Sequence, residues 1–157
     1  MNEDKLALIL DIDGTLAISL FKNLGKDDKA NTKDFIASLA FIEPFALVKS
    51  EIAPLAAKAD HVLVVTGRQS EMATVTKRWL NKVLKINDYT LKFLNYLTYD
   101  AYIDNKKAAL RKAIIEFDDL GCSIVMYEDD ENITKWTKIN FDYVAINLVK
   151  DGISSKV

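Results

Sequence analysis

Leu6-Ala7-Leu8-Ile9-Leu10-Asp11-Ile12-Asp13-Gly14-Thr15-Leu16 decides how the rest of the chain is read. The unbroken apolar run Leu6–Leu10 reads as a strand buried on both faces, as in a parallel sheet. It ends in two carboxylates, a glycine and a hydroxyl. Strand side chains alternate, so Asp11 and Asp13 project to the same side where the strand gives way to loop. Carboxylates that close repel unless a cation lies between them or one is protonated. Gly14 permits a tight turn, and the Thr15 hydroxyl is suited to capping or to binding an oxyanion. Taken alone, the segment allows two readings: a strand end with a solvated acidic turn, or a metal-assisted phosphoryl-transfer site.

Outward from this stretch the chain alternates strands and helices. A polar, loop-like segment, Phe21 to Asn31, follows the acidic motif and is placed to overhang it as a flap or mini-cap within residues 19–45. Thr32 is read as the cap of a short helix through Phe35, Ile36, Leu39 and Ala40, whose spacing gives an apolar face. Ser50 to Ala59 reads as a capped helix with Pro54 in its first turn. Val62 to Val65 is a second apolar strand and ends in Thr66-Gly67-Arg68. Met72, Val75, Trp79 and Val83 recur at helical spacing between Ser70 and Leu84. A third strand is expected over Leu91 to Leu97. Asp104 or Asn105 is expected to open a helix that Gly121 terminates. Ser123 to Tyr127 forms a fourth strand and runs into Glu128-Asp129-Asp130; a short helix, Ile133 to Ile139, and a last strand near Tyr143 to Leu148 complete the chain. This alternation predicts one α/β domain, with a three-layer α/β/α Rossmann-like architecture around a mostly parallel sheet.

Three strands therefore end in reactive groups: Asp-x-Asp, Thr-Gly-Arg and Glu-Asp-Asp. In open parallel sheets the C-terminal strand edge is where ligands bind. Convergence there favours a site over three unrelated polar turns.

Composition sets the boundaries. The chain has 157 residues, half of them apolar and 28% charged, with a net charge of -2. Such a balance gives no global electrostatic argument for nucleic acid or membrane. The single cysteine, Cys122, cannot form an intramolecular disulfide and reads as a small core residue. No apolar run approaches the ~18 residues a membrane helix needs, and the charged start does not read as a signal peptide; a cytoplasmic protein is expected.

In order, Asp11-Ile12-Asp13-Gly14-Thr15, the strand ending in Thr66, a helix-opening lysine and an acidic pair after a later strand resemble the four motifs of the haloacid dehalogenase (HAD) superfamily of phosphotransferases. The resemblance spans Leu8 to Asp130. Thr66-Gly67-Arg68 followed by Thr76-Lys77-Arg78-Trp79-Leu80 is further similar to the phosphatase domain of polynucleotide kinase-phosphatases. The resemblance implies that Asp11 is a nucleophile forming an aspartyl-phosphate and that Asp13 is the general acid and then base. It also implies that Thr66 and a lysine hold phosphoryl oxygens, with Gly14, Thr15, Gly67 and Arg68 beside the substrate. It further implies a Mg²⁺ ion held by Asp11, the main-chain carbonyl of Asp13 and an acid from the Glu128-Asp129-Asp130 cluster.

The lysine is Lys106 or Lys107; Lys106 is favoured because it shares a helix face with Leu110 and Ile114. Asp129 is favoured as the metal ligand with Glu128 assisting, whereas Asp130 faces solvent or caps the next helix. The segments between motifs leave no room for a large cap domain, so a phosphorylated small molecule or a nucleic-acid end would both be admitted. No membrane and no obligate protein partner are expected. Two alternatives are a receiver-type signalling domain, which lacks the Asp-x-Asp-Gly-Thr form, and a non-catalytic scaffold of the same fold. His61 reads as a strand-edge histidine, and Trp79, Trp136 and the tyrosines as packing residues. Lys77, Arg78, Lys82, Lys85 and Lys92 read as a solvated basic face rather than a track for a phosphate backbone.

Overall fold

The computed structural model describes residues 4–20, 33–95 and 97–157. The expected flap over Phe21 to Asn31 and the Thr32 cap lie outside these residues. Six strands form one sheet in the order β3-β2-β1-β4-β5-β6. They are β1 (Lys5–Leu10), β2 (His61–Thr66), β3 (Thr90–Phe93), β4 (Cys122–Glu128), β5 (Ala145–Lys150) and β6 (Ile153–Lys156). All pairings are parallel except β5 with β6. The central position of β1 follows from its composition: a strand covered on both faces has no polar side to turn outward. Ala7, Leu8, Ile9 and Leu10 are all buried.

Alternation along β1 sorts its side chains between two cores. Ala7 and Ile9 pack with Leu63, Val65, Ile124 and Met126 against Ile103, Leu110 and Ile114 of α4 (Tyr99–Asp119) and Ile133 of α5 (Glu131–Asn140). Leu8 and Leu10 pack with Val62 and Val64 on the other face. There they meet Ala56 of α2 (Ala53–Lys58) and Trp79, Leu80 and Leu84 of α3 (Ala73–Leu84). Helices thus cover both faces, as a three-layer doubly wound fold requires. The short α1 (Lys33–Ser38) precedes a 3₁₀ turn, Leu39–Phe41. Trp79 belongs to the core and its indole N–H donates to the Ile42 carbonyl (2.8 Å), holding that turn onto α3. Among the described residues no helix is long and apolar enough to cross a membrane, and no second sheet accompanies the first.

Element boundaries differ from expectation in five places. Helix α4 begins at Tyr99, not at Asp104 or Asn105, because the Thr98 hydroxyl accepts from the Ala101 N–H (3.1 Å) and caps it there. Lys106 therefore lies two turns inside the helix rather than at its opening. β3 stops at Phe93, and Leu97 is exposed. The Ser50–Ala59 helix has no hydroxyl cap: a π-helical turn over Val48–Ile52 runs directly into α2, with Pro54 in its first turn. The last parallel strand lies two residues later than expected, at Ala145–Lys150. β6 is an additional strand beyond the expected elements, and Asp151-Gly152 announces it. Both residues have positive φ (50° and 78°), the conformation of a two-residue hairpin turn. Gly121 does follow the end of α4, with φ 78°.

Candidate active site

Strand order reverses at β1: β2 and β3 lie on one side, β4 and β5 on the other. The crevice beyond the C-terminal ends of such strands is the binding position of doubly wound sheets. Asp11 follows β1 and Glu128 ends β4, in neighbouring parallel strands paired through Leu10 and Tyr127. Alternation turns Asp11 toward the α4 side, as it does Ala7 and Ile9; Glu128 follows Ile124 and Met126 to that side. Lys106 comes down from α4 between them. Its ammonium lies 3.2 Å from Asp11 Oδ1 and 2.7 Å from Glu128 Oε2, and it donates to the Tyr102 hydroxyl at 2.9 Å. At 1% exposure, Lys106 is among the largest fully buried side chains of the described residues. Lys107, the other candidate, is half-exposed and has no resolved place in this cluster.

Gly14 and Thr15 bring Asp129 against Asp11. Residues Ile12 to Ala17 form a tight turn, with the Thr15 N–H donating to the Ile12 carbonyl (3.1 Å) and the Gly14 N–H to that of Ala17 (2.7 Å). Gly14 has φ 88°, and a Cβ there would lie 2.2 Å from Asp129 Oδ2. The position thus demands glycine twice over, for its backbone and for the carboxylate packed on it. The Thr15 hydroxyl lies 3.1 Å from both Asp11 Oδ2 and Asp129 Oδ1 and bridges the two carboxylates. Asp130 does not join them; it caps α5, accepting from the Asn132 N–H at 2.8 Å.

Asp13 is held separately. Arg68 grips its carboxylate through two donors, Nε to Oδ2 (2.9 Å) and a terminal nitrogen to Oδ1 (2.8 Å), and a third donor reaches the Thr76 hydroxyl (3.1 Å). Both Arg68 and Thr76 are buried. The Thr66 hydroxyl accepts from the Arg68 N–H (3.1 Å), so the Thr66-Gly67-Arg68 turn aims the guanidinium at Asp13. Thr66 is fully buried and stands two residues beyond Val64, the partner of Leu10 across β1 and β2.

Charge is crowded in this crevice. Burial, followed by the Asp11 charge and its hydrogen bond and by Glu128, pushes the Asp129 carboxyl up to about 9. Burial and Asp11 likewise push Glu128 up to about 7, against the opposing pull of Lys106. Burial works against the Lys106 charge, but Asp11 and Glu128 outweigh it and hold the ammonium well above the ordinary lysine range. Three carboxylates thus face one ammonium, and the imbalance favours either bound protons or a further cation. Asp11, Glu128 and Asp129 each offer an oxygen, all within 4.8 Å of one another. An all-oxygen set of this size fits a hard divalent cation such as Mg²⁺.

Of the residues singled out from the sequence, the structure brings Asp11, Gly14, Thr15, Lys106, Glu128 and Asp129 into one cluster. Asp13, Thr66 and Arg68 form an adjoining one. His61 sits exposed at the start of β2, its ring stacked on Phe117 at 5.5 Å. Lys77, Arg78, Lys82 and Lys85 lie exposed on and just past α3, and Lys92 on β3. Two further residues contribute. Thr76 stands in the sequence only within the Thr76–Leu80 motif, and Tyr102 reads there as a packing residue, although its place one turn before Lys106 is a signal.

No protein-family model matches the chain, and no curated protein matches its sequence. Solved structures do match. One is a chain of the Pnkp1/Rnl/Hen1 complex, 18% identical, with a TM-score of 0.59 over 96% of this chain and 47% of that one. Another is a class C acid phosphatase from Bacillus anthracis with tungstate bound, 15% identical, with a TM-score of 0.52 over 97% of this chain and 69% of that one. The protein shares their fold, and it spans about half the length of the first.

Proposed function

We propose that the protein is a Mg²⁺-dependent phosphomonoester hydrolase of the HAD type, working through an aspartyl-phosphate. The observation that carries this reading is the separation of Asp11 from Asp13. Asp11 lies among Lys106, Glu128, Asp129 and Thr15, whereas Asp13 is held apart on Arg68. Two carboxylates of one motif thereby acquire different surroundings and can serve different steps. Asp11 attacks phosphorus; the bond from phosphorus to the ester oxygen breaks, and Asp13, entering the step protonated with one oxygen released from Arg68, delivers its proton to the departing alkoxide. Water then attacks phosphorus, gives a proton to Asp13, and the Asp11–phosphorus bond breaks to release inorganic phosphate. Lys106 and the Thr66 hydroxyl would offset phosphoryl charge, and Arg68 would keep Asp13 oriented. Asp11, Asp129 and the Asp13 carbonyl, with Glu128 assisting, would hold Mg²⁺, which when bound neutralises the crowded carboxylates and draws charge from the phosphoryl oxygens.

The test is hydrolysis of an aryl phosphate by the purified protein with and without Mg²⁺. Activity should require the ion and vanish in Asp11→Asn; robust turnover by that variant would overturn the mechanism.

A second reading concerns substrate. The Thr66-Gly67-Arg68 turn and Thr76, which resemble the phosphatase domain of polynucleotide kinase-phosphatases, meet through the Arg68–Thr76 hydrogen bond, and the Pnkp1/Rnl/Hen1 chain overlays 96% of the protein. We propose oligonucleotide 3′-phosphates as the first substrates to compare with 5′-phosphates, nucleotides and sugar phosphates. Oligonucleotide ends turning over no faster than the aryl phosphate would remove this reading.

A further inference from the structure

Lys106 has three N–H donors, and the structure sets three groups around them: Glu128 at 2.7 Å, the Tyr102 hydroxyl at 2.9 Å and, as an ion pair, Asp11 at 3.2 Å. Two are carboxylates of the crowded crevice. The third is a neutral phenol, contributed by Lys106's own helix one turn toward its N-terminus. The spacing places the two side chains one above the other on α4, and helical side chains lean toward the N-terminus, so Lys106 reaches back over the Tyr102 ring. Its ammonium lies 5.3 Å from the ring centroid as well as on the hydroxyl. Tyr99, 6.0 Å away in a tilted arrangement, backs the ring, and its own hydroxyl is bonded to Asp130 Oδ2 at 2.8 Å.

A buried ammonium with only two carboxylates beside it would close on both. Contact with Asp11 is the longest of the three, and it is the contact that must loosen if Asp11 is to attack an incoming phosphate. We propose that Tyr102 is a positioning residue: by accepting the third Lys106 N–H, it keeps the ammonium between Asp11 and Glu128 and prevents its collapse onto the nucleophile. This inference rests on the phosphatase reading above for its catalytic consequence, though not for the contact itself. Burial and the Asp11 charge hold the Tyr102 phenol far above its ordinary range, so it remains a neutral acceptor.

Tyr102→Phe removes the hydroxyl while keeping the ring. With aryl phosphate and Mg²⁺, kcat should fall about tenfold, the scale of one lost hydrogen bond to a charged group, and KM should hold within about twofold. In a Lys106→Met background the same change should shift the melting temperature less than it does in the wild type, because the group it positions is gone. Equal melting-temperature losses in both backgrounds would overturn the proposal, as would unchanged kcat in the single variant. If the wild-type protein hydrolyses no phosphomonoester, the phosphatase reading falls, and the melting-temperature cycle alone decides whether Tyr102 fixes Lys106: additive shifts refute it and non-additive shifts sustain it.

Discussion

Lys106→Met removes a cation that the structure buries to 1% exposure between two carboxylates. Coulomb attraction at 2.7 and 3.2 Å is about 5–6 kcal/mol for each contact at an effective dielectric near 20. Much of this offsets the cost of burying the ammonium, so the net loss is better judged from broken buried pairs, about 3–5 kcal/mol. The loss depends on pH in a definite direction. The folded Glu128 carboxyl is raised to about 7, so the folded state binds its proton more tightly than the unfolded chain does. Its neutral form contributes stability that is full below the unfolded glutamate value and is lost as pH rises through the folded one. Removing Lys106, which pulls that value down, extends the loss to higher pH. The variant should therefore be less destabilised near pH 5 than near pH 8, where the loss is about 3–5 kcal/mol, a drop in melting temperature of roughly 6–20 °C for a domain of this size. Thermal unfolding of the metal-free protein by circular dichroism at both pH values reads this directly. Lys107→Met, at a half-exposed neighbouring position, should stay within about 0.5 kcal/mol. A drop under about 2 °C at pH 8, or the same drop at both pH values, would refute the reasoning.

Other outcomes follow from the same geometry. Without metal, the wild-type protein should lose stability as pH rises from about 5 to 9, because Glu128 and Asp129, raised to about 7 and about 9, must give up protons that the folded state holds. Mg²⁺ should accordingly raise the melting temperature more at pH 8.5 than at pH 5.5, and an equal shift at both would contradict the assignment of these acids. Gly14→Ala places a Cβ 2.2 Å from Asp129 Oδ2 at φ 88°; it should cost more than about 1 kcal/mol and weaken Mg²⁺ binding measured by calorimetry. Arg68→Lys cannot keep the two-pronged grip on Asp13, so kcat should fall by about tenfold or more while Asp11 and its neighbours still bind the ion. Trp79→Phe should lower stability by about 1 kcal/mol in urea unfolding through the lost bond to the Ile42 carbonyl.

Much of the fold was legible because its signals are local. Apolar runs gave β1, β2 and β4, and helical spacing gave α3 and the body of α4, since burial on one or both faces imposes those periods. The same local signals misplaced the start of α4. Tyr99 to Ile103 carries little apolar periodicity, and a hydroxyl cap at Thr98 outweighs it. β6 escaped because its residues, Ile153 to Lys156, are mostly polar and exposed, held by hairpin pairing rather than burial.

The sequence by itself determined that acidic, hydroxyl and basic groups stand at the ends of three strands, because a parallel sheet sends all such ends to one edge. It narrowed the lysine to two and the candidate metal ligands after β4 to three. Only the tertiary structure decided how these groups are shared. Arg68 could not be assigned to Asp13 from the sequence, nor Thr15 to a bridge between Asp11 and Asp129, nor Tyr102 to Lys106, because contact depends on strand register and on the height at which a helix crosses the sheet. The same holds for Asp11 and Asp13. Alternation sends both to one side of β1, yet the turn at Gly14, tight enough that Asp129 fills the space of a missing Cβ, leaves one carboxylate among acids and an ammonium and the other on a guanidinium.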